Sequence, residues 1–254
     1  MTELPPEDVY ATAKKIRFVL RRIERYRQGR GLTPRVLDFG CGNGSALSRY
    51  LIGEGIDYTG VDFHLPSLNY AREYFGGPRA RFLTEVPAGE QFDVLILSEV
   101  LEHLVAPGAV LRELSQVLSP GGIVLGSIPN GYGLTEIEKY LDRKLHLYQG
   151  LQWFWRRLRA GDPSALRNNS PPYNHESGHV QFFTQREFRR MIAGAGFRIA
   201  ELRNGSVLGA DLSGATYLRP RALIKLNVTL ADYIPIWAAA TWHFMLVRVA
   251  RPDG

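Results

Sequence analysis

The sequence predicts an α/β fold: a mostly parallel sheet with helices between its strands, an antiparallel hairpin at its C-terminal end, and helical insertions. Three observations predict it. Between residues 35 and 130, short apolar runs alternate with helical patterns, as strand–helix–strand units require. Gln91-Phe-Asp-Val-Leu-Ile-Leu97 is nearly continuous in apolar residues, which suits a strand covered on both faces. Gly196–Leu202 and Trp242–Val249 are two consecutive late strands separated by an insertion, which suits a closing hairpin.

Composition sets the frame. With 254 residues the chain is long enough for a well-buried core, and we read 1–254 as a single domain. Apolar content of 45% and charged content of 22% are those of a globular protein. The single cysteine, Cys41, rules out an internal disulfide framework and fits a reducing compartment. No signal peptide is visible, and the longest uncharged apolar run, Ile234–Val247, is too short to cross a bilayer. These features predict a cytoplasmic protein. The net charge of +6 is concentrated: Lys14–Arg30 carries eight basic side chains against Glu24 alone.

In chain order, residues 1–31 hold a basic amphipathic helix, Pro6–Gln28, with Ile16, Val19, Leu20, Ile23 and Tyr26 on one face. Its cationic face is read first as the solvated back of the domain. Docking onto an anionic membrane surface or a phosphate-bearing acceptor is the functional alternative. Val36-Leu-Asp-Phe-Gly-Cys-Gly-Asn-Gly44 follows, a short strand running into a glycine-rich turn, and Ser45–Ile52 has helical spacing. Gly40, Gly42 and Gly44 let the backbone turn sharply and approach a ligand, and Cys41 contributes its backbone to the same turn. The spacing is G-x-G-x-G, with Ser45 where a dinucleotide fold wants its third glycine. Asp38, on the rim of this cradle, would repel a pyrophosphate but suits a ligand with an amino group and a positive sulfonium.

Asp57–Asp62 is a second strand, and its terminal carboxylate, Asp62, is placed to take both ribose hydroxyls of a nucleoside. Phe63 follows it. Helix Leu65–Phe75 and strand Arg79–Leu83 follow, with Glu85 just beyond the strand tip. The Gln91–Leu97 strand delivers Ser98-Glu-Val-Leu-Glu-His103 to the carboxyl edge, where open α/β sheets bind ligands. Helix Pro107–Leu118, the turn Ser119-Pro-Gly-Gly122 and strand Ile123–Ile128 complete this half.

Val36–Gly44 resembles motif I of the class I S-adenosylmethionine (SAM) methyltransferases. The glycine turn, acidic strand end, F-D-V strand and S-P-G-G turn arrive in that family's order, so the resemblance spans roughly residues 35 to 130. It implies a Rossmann-like class I methyltransferase sheet and SAM as cofactor. Asp38, Gly40, Cys41, Gly42 and Gly44 would then hold the amino acid part of SAM, Asp62 and Phe63 the nucleoside, and Glu85 the adenine edge. Ser98 and Glu99 would face the reacting centre.

Glu99, Glu102 and His103 share one face if they lie on a first helical turn, and two carboxylates with an imidazole there can hold a divalent ion. The E-x-x-E-H segment, with His179 before an aromatic-Thr-helix element, resembles the metal-binding set of small-RNA 2'-O-methyltransferases. Ubiquinone-pathway O-methyltransferases share E-V-L-E-H. Such a mixed donor set does not choose between Mg, Mn, Fe and Zn. Without a metal, His103 or His179, with Glu99 beside them, supplies the catalytic base, and His175 is a spare.

Residues 131–178 are an insertion containing two helical patterns and a polar loop, read as an acceptor lid; the Trp153–Arg159 part also suits a membrane interface. Thr184 and Glu187 predict a capping box on helix Gln185–Ala195, and residues 207–240 form a second insertion. The function read from the sequence is SAM-dependent O-methylation of a small-molecule or glycan- or lipid-linked acceptor. The alternatives are a metal-dependent RNA 2'-O-methyltransferase, with RNA disfavoured by the missing RNA-binding domains, and a non-catalytic SAM-binding protein. An NAD-type oxidoreductase would share Asp62 but needs the G-x-G-x-x-G turn.

Overall fold

The structure, a computed structural model, is described for residues 3–53, 55–146, 150, 172, 180–209, 218 and 220–249. Seven strands form one sheet: β1 Arg35–Phe39, β2 Asp57–Val61, β3 Ala80–Leu83, β4 Phe92–Ser98, β5 Leu118–Pro129, β6 Phe197–Asn204 and β7 Thr241–Arg248. Their order is β3-β2-β1-β4-β5-β7-β6. The first five are parallel, and β7 runs antiparallel to both β5 and β6. The hairpin expected from the two late strands is therefore present. The strand order reverses between β1 and β4, so a crevice opens beyond their carboxyl ends.

β4 shows why its sequence reads as a continuous apolar run. Val94 and Ile96 pack into the cluster that includes Ile16, Val19, Val36 and Tyr58, while Leu95 and Leu97 point into the opposite one. Two-residue alternation between two buried faces leaves no polar position to spare. The second cluster is aromatic where the hairpin meets helix α6 (Gln185–Gly194): the Phe188 ring lies 5.3 Å from Phe244 and 6.1 Å from Trp242. The capping box predicted for α6 forms, with Thr184 Oγ1 accepting from the Glu187 N–H at 3.2 Å and Glu187 Oε2 from the Thr184 N–H at 2.9 Å.

The amphipathic N-terminal helix, α1, spans Thr12–Arg30, starting later than its spacing suggested. Its cations are largely taken up within the domain. Arg17 pairs with Glu7, Arg22 with Glu201, Lys14 with Asp232 and Lys15 with Glu99. The cationic face is thus less a free surface than a set of ties to the rest of the chain. The cradle helix is also shorter than expected: α2 covers only Ser48–Leu51, and residues 45–47 form a turn. Helix α3 spans Leu65–Phe75, and α4 spans Pro107–Gln116. In the first insertion, α5 covers Leu134–Leu145; the second helical pattern expected there lies outside the described residues. No helix among the described residues is long and apolar enough to cross a membrane.

Candidate active site

The glycine turn is built by backbone geometry. Gly40, Gly42 and Gly44 all have positive φ, at 80°, 57° and 77°. The Gly40 and Cys41 N–H groups both donate to the Val61 carbonyl, at 2.8 and 3.1 Å, which binds the turn to the end of β2. A Cβ on Gly40 would stand 2.6 Å from Val100 Cγ2, and one on Gly44 would stand 2.7 Å from the Phe75 ring. Nothing lies within 4 Å of the Cβ position of Gly42. The outer two glycines are thus forced by protein neighbours, while the middle one faces open space. Gly40→Ala combines left-handed strain with that clash, so a loss of about 2–4 kcal/mol is expected in thermal or urea unfolding, with weakened cofactor binding.

Asp62 is fixed by the same turn. Its Oδ2 accepts from the Gly42 N–H and its Oδ1 from the His64 N–H, both at 2.8 Å. Each oxygen keeps a lone pair for a ribose hydroxyl. Phe63 is exposed beside it, as is Glu85 beyond β3. Pro172 brings the inserted segment onto this cradle: its carbonyl accepts from Asn43 Nδ2 at 3.0 Å and from Ser67 Oγ at 3.1 Å.

Asp38 corrects the sequence reading. It lies buried beneath the turn and not on its rim, with Oδ2 accepting from Tyr58 Oη at 2.7 Å. Burial, only partly offset by the Tyr58 and Ser48 hydroxyls, pushes its carboxyl up to about 6. Burial and the neighbouring Asp38 and Asp62 carboxylates push the Cys41 thiol far up, so this cysteine is inert and acts through its backbone.

The segment after β4 also differs from expectation. Ser98 Oγ meets Ser127 Oγ at 3.1 Å across β4 and β5. Glu99 then adopts φ 55°, and Leu101–His103 form a 3-10 turn, not the first turn of an α-helix. The two carboxylates therefore have unlike surroundings. Glu102 is wholly buried, and neither of its oxygens has a hydrogen-bond partner among the described residues. Burial, with Glu99 nearby, holds its carboxyl well above the usual carboxylate range, so it is a neutral acid. Glu99 is partly exposed, and Lys15 Nζ reaches it from α1 at 3.7 Å. His103 Nε2 lies 3.9 Å from Glu102 Oε1.

Of the four residues expected to hold a metal, Glu102 and Glu99 are otherwise engaged in this structure. A neutral, enclosed acid is a poor ligand, and the cationic position beside Glu99 is filled by the Lys15 ammonium. No group of three or more His, Cys, Asp and Glu side chains suited to a metal occurs among the described residues. The fourth residue, His179, lies outside them, as does His175.

Three residues near the centre were not singled out from the sequence. Lys15 sits one turn before the buried Phe18 and Val19, so helical spacing did signal its inward position. Tyr58 anchors Asp38 from the neighbouring strand. His243, in β7, is fully buried, and burial with the nearby Lys15 and Lys14 lowers its imidazole to about 3, keeping it neutral.

The sheet order and this site define the Rossmann-like fold of class I methyltransferases. Among solved structures, the plantazolicin methyltransferase bound to S-adenosylhomocysteine (SAH) is similar in fold, with a TM-score of 0.54 over 93% of this chain and 85% of that one at 16% identity. A SAM-dependent methyltransferase from Clostridium acetobutylicum gives a TM-score of 0.54 over 92% of this chain and 90% of that one, at 11% identity. A family profile described as a methyltransferase domain matches residues 11–202, and the chain belongs to that family. The ubiquinone biosynthesis O-methyltransferase of Bordetella avium is 39% identical over 134 residues, 45% of this chain and 54% of that protein. That of Aeromonas salmonicida is 26% identical over 178 residues, 66% of this chain and 64% of that protein. The chain thus spans between about half and two thirds of the length of these two relatives.

Proposed function

We propose that this protein transfers the methyl group of SAM to an oxygen of a small-molecule or glycan- or lipid-linked acceptor. The observation that carries the reading is the open space over Gly42, flanked by Asp62 with both carboxylate oxygens oriented by backbone N–H groups. That arrangement suits a nucleoside with two vicinal hydroxyls. The similarity to ubiquinone biosynthesis O-methyltransferases supports oxygen as the atom methylated.

SAM supplies the electrophilic methyl group when bound, and the chain supplies placement and a proton acceptor. The transfer is an in-line displacement, so holding donor and acceptor in register accounts for much of the rate. Glu99 lies at the carboxyl edge beside the glycine turn and is partly exposed, so it is the group placed to take the acceptor's hydroxyl proton. Glu102, neutral and enclosed, packs beneath it. Pro172, within the insertion read as an acceptor lid, accepts from Asn43 and Ser67 beside the cradle, which favours that reading.

Calorimetric titration with SAH tests the donor site, and SAH release with phenol, sugar-hydroxyl and RNA acceptors tests the rest. A folded sample that binds no SAH overturns the reading. Asp38 gives this binding a pH signature. If the donor's ammonium group reaches the buried Asp38 from the cradle side, that carboxyl ionises on binding, and SAH affinity is expected to fall about tenfold per pH unit below about pH 6. In the apo protein the sign is opposite. An acid raised on folding favours the folded state while protonated, and this contribution, about 3 kcal/mol, is lost as pH rises from about 4 through about 6. Asp38→Asn is accordingly expected to raise the apo Tm above pH 6 while weakening SAH binding. Affinity that stays flat across that range removes Asp38 from the donor site.

A further inference from the structure

The connection between β6 and β7 carries features that methyl transfer does not use. β7 begins at the carboxyl edge, with Thr241 opposite Pro129, and β6 ends there, with Asn204 opposite Trp242. The connection therefore leaves from and returns to the edge that holds the cradle. Within it, helix α7 (Arg221–Leu230) buries Asn227 and Val228 and half-buries Ile224. Leu223, Leu226 and Leu230 point the other way, 42–50% exposed, and their spacing places them in one stripe. Tyr233 and Trp237 follow, 82% and 62% exposed.

These rings are not on a loose loop. The buried Asn204 donates through Nδ2 to the carbonyls of Ala231 at 2.7 Å and Ile234 at 2.9 Å. The buried Asn130 donates through Nδ2 to the Trp237 carbonyl, and Trp242 Nε1 to the Ile236 carbonyl, both at 2.7 Å. The backbone is fastened from inside while large apolar side chains are held outward. Isolated exposed leucines are ordinary, but a leucine stripe continued by a Tyr and a Trp marks an interaction surface.

Charge selects the occupant. Arg221 and Lys225, four residues apart and roughly 100° or more round the helix from the leucines, are exposed and have no carboxylate partner among the described residues. The one acid within residues 220–240, Asp232, is held by Lys14 at 2.8 Å. A second copy meeting this face across a two-fold axis would bring like charges together. Leucines and cations on α7, with interfacial aromatics on the fastened turns that follow it, fit a lipid surface bearing anionic headgroups. The basic helix α1, for which membrane docking is the alternative reading of its sequence, uses several of its cations in internal pairs.

We propose that the leucine stripe of α7, with Tyr233, Trp237, Arg221 and Lys225, docks on an anionic membrane surface. Docking turns the carboxyl edge toward an acceptor held in that surface; this second step rests on the methyl-transfer reading, whereas docking does not. The test is co-sedimentation of the full chain with phosphatidylcholine vesicles made with and without phosphatidylglycerol. Binding to the anionic vesicles is expected, weakened at least ~10-fold by Leu226→Glu and several-fold by the pair Arg221→Glu and Lys225→Glu. Folding of each variant is checked by unchanged SAH affinity in calorimetry, which keeps a failed docking result distinct from a failed donor site. No binding to either vesicle overturns the proposal, as does binding that Leu226→Glu leaves intact. Sedimentation velocity showing a dimer that Leu226→Glu dissociates overturns it as well, by assigning the face to a second copy.

Discussion

Asp62→Ala is expected to weaken SAH binding at least ~100-fold, because two hydrogen bonds to a charged acceptor contribute about 1.5–3 kcal/mol each. The carboxylate has two tasks. Its oxygens accept from the N–H groups of Gly42 and His64, and their remaining lone pairs face the space where a ribose edge would sit. Truncation removes the ribose acceptors and also releases the Gly42 N–H, so the turn loses its anchor as the ligand loses its partner. Asp62→Asn keeps one acceptor oxygen but turns its NH2 toward the N–H of Gly42 or His64, and should fall between wild type and Ala. Titration calorimetry measures both, with thermal unfolding as the control for fold. An Asp62→Ala protein that binds SAH with wild-type affinity would mean that the ribose lies elsewhere.

Much of the sheet was legible because it rests on periodicity. The two-sided burial of Val94, Leu95, Ile96 and Leu97 is what an unbroken apolar run encodes, and Thr184 with Glu187 forms the cap its spacing announces. The site was legible where backbone conformation decides. Gly40, Gly42 and Gly44 take the positive φ values that only glycine adopts freely. It was less legible where side-chain direction decides. Asp38 adjoins the turn in sequence, yet alternation puts it on the face of Val36, under Tyr58 and away from the rim. Glu99, Glu102 and His103 read as one helical face only if the chain there is α-helical. With Val100 packed against Gly40, the chain instead turns at Glu99 and tightens into a 3-10 turn, which sends the two carboxylates into different surroundings.

That turn makes Glu99 the most informative position for catalysis, because its backbone and its side chain can be tested apart. A non-glycine residue at φ 55° carries strain of about 1 kcal/mol or more, which persists where the surroundings fix it. Its N–H is held by the Ser127 carbonyl at 3.0 Å, and its carboxylate is met by Lys15. Glu99→Gln keeps the strain and the size but removes the proton acceptor. It is expected to lower kcat by ~100-fold or more, with SAH affinity little changed, the loss typical of a missing general base. Glu99→Gly relieves the backbone and should have an apo Tm at least that of wild type, while being as inactive as Glu99→Gln. A strained residue serving only to terminate β4 would behave differently: glycine would stabilise and leave turnover intact. Should Glu99→Gln retain wild-type kcat, the proton acceptor is not Glu99, and His103, one turn on at the same edge, becomes the residue to replace next.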